Sequence, residues 1–113
     1  MYEIPEELID EDPVTTSVRV FKGTPSSHNY WRKLFNSLCE ITGDYSAAQS
    51  VWFDWISAKY NQFRQDGLPD SFPANPKYPQ PGFHIWARTF SKFVRGMVDS
   101  MRGKQLAKLG GRQ

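Results

Sequence analysis

FHIWARTFSKFVRGMVDSMR, residues 83–102, interleaves aromatic and basic side chains, and two readings compete for it. One is a surface that grips nucleic acid, with rings on bases and cations on phosphates. The other is a core helix with a solvated back. Helical geometry separates them. At about 100° per residue, Phe83, Ala87, Phe90, Phe93, Val94, Met97, Val98 and Met101 fall on one face. Arg88, Lys92, Arg95 and Arg102 fall on the opposite face, with Asp99 among them. The two residue types therefore mix along the chain but not on a surface, and the aromatic side is core. Past Gly103 the pattern breaks, because Lys104 and Lys108 rotate onto the side that was apolar. A basic tail over 104–113 is expected to leave the body.

Two more helices are predicted upstream. In SHNYWRKLFNSLCEIT, Trp31, Leu34, Phe35, Leu38 and Ile41 recur at steps of three and four, with Ser26 or Ser27 as start and Gly43 as stop. The next begins at Ser46, whose Ser-Ala-Ala-Gln run matches a capping box with Gln49. Its buried face is Ala48, Trp52, Trp55, Ile56 and Phe63, with Gly67 closing it. Lys59 falls inside that stripe, so its stem is expected to be buried while its ammonium reaches water. The fold class is mainly α: three helices over about 27–42, 46–66 and 83–102 within a helical domain at 26–103. Trp31, Leu38, Trp52, Trp55, Trp86, Phe90 and Met97 are the expected core.

The first 25 residues read differently. MYEIPEELIDEDP is acidic and aperiodic, the pattern of an arm. Val14, Thr16, Val18 and Val20 then alternate with Thr15, Ser17, Arg19 and Phe21, which predicts a short strand. A strand without a partner in its own chain leaves backbone groups open to pairing across a subunit boundary or with another protein. LPDSFPANPKYPQPG carries five of the eight prolines and reads as a long loop between the second and third helices, pinned by Phe72 and Tyr78.

Composition bounds what such a chain does. At 113 residues it is one domain, and 39% hydrophobic with 15% aromatic content supplies a globular core. A single cysteine, Cys39, is incompatible with a disulfide framework or a cysteine-based metal cluster, and suits a reducing compartment. No basic-then-apolar leader and no membrane-length apolar run is read, so a cytoplasmic protein, or one packaged there into a particle, is expected. The net charge of +2 conceals a gradient. Residues 1–30 hold six acids against two bases, residues 31–87 five of each, and residues 88–113 seven bases against Asp99 alone.

Catalysis needs convergent groups, and this sequence places few together. His28 and His84 belong to no metal-spaced pair or nucleophile triad, and no glycine-rich phosphate loop is present. The expectation is a non-enzymatic protein without cofactor or metal. The run VWFDWI, followed by HIWARTFSKFVR, resembles in its Trp and Phe spacing the small helical single-strand-binding domains of primosomal replication helpers. Spacing of this kind suits any helical core, so no site residue follows from the resemblance.

Two functional classes are left. The first is a protein-binding or assembly protein, of the viral accessory, inhibitor or structural-subunit type. It would engage its partner, or a second copy of itself, through Val14, Val18 and Val20 of the strand and Phe72 and Tyr78 of the loop. The second is a nucleic-acid-binding protein that uses Arg88, Lys92, Arg95, Arg102, Lys104 and Lys108 on phosphates. Groove reading by the second helix is disfavoured, because its exposed Gln49, Ser50, Asp54, Ser57 and Asn61 are nearly uncharged. Single-strand binding would call on Phe53, Tyr60 and Tyr78, which sit off the predicted core stripe.

Overall fold

The computed structural model describes residues 1–70 and 84–110, the last two by their backbone alone. It is mainly helical: a 3-10 turn at Glu6–Leu8, then α1 (Pro13–Phe21), α2 (Pro25–Thr42), α3 (Tyr45–Asp66) and α4 (Ile85–Gly110). The proline-rich loop, with Phe72 and Tyr78, lies almost wholly outside the described residues.

The predicted strand is a helix. Asp12 caps α1 by accepting from the Val14 N–H at 3.3 Å, and Pro13 occupies the first helical position, where its missing N–H costs nothing. The buried residues are Pro13, Val14, Thr16, Ser17, Val20 and Phe21, a spacing of three and four. Thr16 and Ser17 look polar in sequence, but each is fully buried and satisfied. The Thr16 hydroxyl bonds the Asp10 and Asp12 carbonyls, and the Ser17 hydroxyl donates to the Pro13 carbonyl at 2.9 Å. Ser17 Oγ also accepts the buried Trp52 indole N–H at 2.8 Å. Hydrogen bonds to nearby carbonyls, and for Ser17 the tertiary bond from Trp52, satisfy these two polar residues within the core, and the alternation of valines does not correspond to a strand.

The middle of the chain follows the sequence reading with shifted starts. α2 is capped by Thr24 rather than by Ser26 or Ser27, with Pro25 at its first position. α3 is capped by Asp44, whose carboxylate accepts from the Ser46 N–H at 3.0 Å. Gln49 instead donates to the Glu11 carbonyl. Gly43 and Gly67 end the two helices in the left-handed region, at φ of 70° and 67°. α4 does not stop at Gly103 but continues to Gly110, about 39 Å at 1.5 Å per residue.

The core is aromatic. Phe90 of α4 lies at its centre, stacked on Phe21 at 4.3 Å and meeting Trp31 and Trp52 edge-on. Of the expected core, Trp31, Leu38, Trp52, Trp55 and Phe90 are buried, while Trp86 and Met97 are half-buried at its edge. α1 packs against all three long helices, so the first 25 residues are part of the body rather than an appendage. The acidic segment before it is also fixed. Tyr2 N–H donates to Asn61 Oδ1, the Tyr2 ring lies under the Arg64 guanidinium, and the Glu11 carbonyl meets Gln49. The two ends of residues 2–11 are thus tied to α3 in antiparallel sense, Tyr2 toward its C-terminal half and Glu11 toward its start, while the 3-10 turn between them packs against α1.

Candidate nucleic-acid interface

α4 positions the basic residues because its apolar face has nowhere else to go. Ala87, Phe90, Val94 and Val98 are buried against the other helices, and this fixes the helix's rotation. Arg88, Lys92, Arg95 and Arg102 are then all exposed along the opposite face. From residue 88 to residue 102 the row spans about 21 Å.

The row is not uniform. Arg95 Nε lies 3.6 Å from Asp99 Oδ2 one turn on, and its Nη1 reaches the Tyr30 hydroxyl of α2 at 3.5 Å. The hydrogen bond to Tyr30, followed by the charges of Tyr30 and Asp99, raises the Arg95 pKa above its usual value. Asp99, itself exposed, is the single acid on this face, so the row presents four cations and one anion to solvent. Lys104 and Lys108 occupy the end of α4. With Ile41, Met101 and Gln105 they line an open notch where α4 runs past the C-terminus of α2. Residues Arg102 to Lys108 are all exposed, whichever way they point, because the last turns of α4 project beyond the body.

Lys59 of α3 belongs to the same surface. Its ammonium stands 4.3 Å over the Phe93 ring and donates to Gln62 Oε1 at 2.9 Å. The stem-in, head-out reading of Lys59 was legible in the sequence; its place beside α4 was not, because nothing local reveals which helix flank α3 packs against.

The other sequence candidates are placed as follows. Val14 and Val20 are buried in the α1 core and offer no open backbone edge. Val18 is half-buried and, with Thr15, Gly23, Thr24, Pro25 and His28, lines a shallow apolar cleft between α1 and α2. Phe72 and Tyr78 lie outside the described residues. Tyr60, expected at the surface, is buried edge-on to Trp86, and Phe53 is packed against the core. Neither is a free stacking platform. The exposed side of α3 is also unavailable for groove reading, since Gln49 and Asn61 on it hold the acidic N-terminal segment.

Cys39 is half-buried, and burial pushes its thiol pKa up, away from the thiolate that nucleophilic chemistry needs. Among the described residues no three of His, Cys, Asp or Glu come together in a metal-holding group, and no helix is long and apolar enough to cross a membrane. Comparison with protein-family models, with curated proteins and with solved structures returned no match for this chain.

Proposed function

We propose that the protein is a non-enzymatic binding protein that holds nucleic acid by its phosphate backbone through the basic face of α4. One observation carries this reading: Arg88, Lys92, Arg95 and Arg102 share one exposed side of a helix whose other side is core. Phosphate contacts of this kind release counterions and fix position without reading sequence. In a fluorescence-anisotropy titration against duplex, the logarithm of affinity should fall with the logarithm of salt at about −0.9 per phosphate contacted. Replacing Lys92, Arg95 and Arg102 by Gln should weaken binding to unrelated sequences alike, each change removing about one unit of that slope. Binding that is absent, or indifferent to salt, overturns the reading.

A second reading keeps the protein partner, and the α1–α2 cleft around Val18 and Pro25 favours it. The strand that first suggested a partner is gone, but this cleft is apolar and open. A partner seated there would survive nuclease treatment of a pull-down and be released by Val18→Glu. A complex held by α4 would be lost with the nucleic acid.

A further inference from the structure

Around α4, the sector next to the basic row on the α3 side is formed by small residues. Taking Arg88 as the origin at about 100° per residue, the row lies between about −40° and +40°. Thr89, Gly96, Ser100 and Gly103 follow between about 60° and 120°, and Phe93 with the Lys59 ammonium above it comes next, near 140°. Gly96, Ser100 and Gly103 are exposed, and a Cβ built on either glycine would meet nothing within 4 Å. At the level of Phe93, cations therefore stand on both sides of this low strip, Lys92 of the row on one and Lys59 on the other, and the row alone borders it onward to Gly103.

We infer that one phosphodiester strand of a double-stranded nucleic acid lies lengthwise on α4 between the Arg88–Arg102 row and Lys59. This rests on the functional reading above and adds where the backbone sits and what form of nucleic acid supplies it. A duplex is the form that fits because the rings of α4 are all engaged. Phe90 is in the core, and Phe93 is capped by Lys59 and meets Trp55 edge-on. Trp86 donates its indole N–H to the Leu68 carbonyl and packs on Phe63. Single-strand binders stack bases on exposed rings. A rigid ridge of cations instead suits phosphates held at fixed spacing by a duplex.

The test separates charge from shape. Ser100→Trp puts neutral bulk on the strip, Lys59→Gln removes the far cation, and Asn36→Trp puts the same bulk on an exposed site of α2 away from α4. Each is titrated by anisotropy against a mixed-sequence 20-base-pair DNA duplex and against one of its strands, with thermal melting as the fold control. The expected result is at least a fivefold loss of duplex affinity for Ser100→Trp and for Lys59→Gln, with Asn36→Trp within twofold of the parent. The parent chain should also hold the duplex tighter than the single strand. Gly103→Gln is the second strip variant should Ser100→Trp melt early. Strip variants that bind like the parent, or a single strand bound as tightly as the duplex, overturn this placement while the basic-face reading stands. A parent chain that binds neither nucleic acid overturns both.

Discussion

Asp12 does two jobs with one carboxylate. It caps α1 through the Val14 N–H and the Thr15 hydroxyl, and it forms a two-pronged ion pair with Arg32 of α2, Oδ1 to Nη1 at 3.0 Å. Burial alone would raise its pKa. The hydrogen bonds from Arg32 and Thr15, the Arg32 charge and the Val14 N–H outweigh that and hold it at about 2. A carboxyl depressed in the folded state contributes stability above its unfolded pKa, near 3.8, and loses it as pH falls through the folded value. The difference is worth about 2 kcal/mol. Asn caps a helix about as well as Asp, so Asp12→Asn isolates the charge. Its urea midpoint should lie below the parent's at pH 7, and the gap should close between about pH 4 and pH 2. A gap that persists at pH 2 would assign the loss to packing rather than to the ion pair.

At the scale of elements, what the sequence revealed depended on whether burial followed local polarity. The last three helices were legible because Trp31, Trp52, Phe90 and their neighbours recur at helical spacing, and Gly43 and Gly67 punctuate them. α1 was not, because its buried face includes the polar Thr16 and Ser17, satisfied by preceding backbone carbonyls and, for Ser17, by the distant Trp52 indole, which left only the valines to suggest alternation. The Asp12-Pro13 pair was the overlooked signal of a helix start. Gly103 misled in the other direction, since a glycine with no turn to make is tolerated inside a helix at about 1 kcal/mol. The basic row could be read directly; the Lys59 flank required the packing of α3 on α4. The helical assignment changes what a truncation does. Deleting residues 1–22 removes Val14, Val20 and Phe21, the last of which stacks on Phe90. Far-ultraviolet circular dichroism should then show loss of the cooperative melt, not a folded domain missing one binding segment. A truncated chain that melts like the parent would contradict the packing of α1.

The whole molecule is electrically lopsided, and its two extremes are held on different helices. The acidic first segment is tied to α3 at Tyr2 and Glu11, with Asp10 and Asp12 paired to Arg19 and Arg32, while the cations from Arg88 to Lys108 ride on α4. Separation of this kind steers a polyanion toward α4 and away from the acidic side. Asp99 is the one residue that opposes the gradient from within, spending part of Arg95 on an exposed pair at 3.6 Å. An exposed pair of this sort adds little stability, so Asp99→Asn should melt close to the parent. It should nonetheless bind duplex about two- to fivefold tighter at low salt, because one anion leaves the phosphate path and Arg95 is released to it. The salt slope should steepen by up to about one unit for the same reason. Both effects should shrink as salt rises and the Debye length falls to a few Å. An affinity unchanged by Asp99→Asn would mean that the phosphates do not pass along this face of α4. A weaker affinity would mean that Asp99 holds Arg95 in its binding geometry, and Arg95→Gln in the Asp99→Asn background would then cost nothing more.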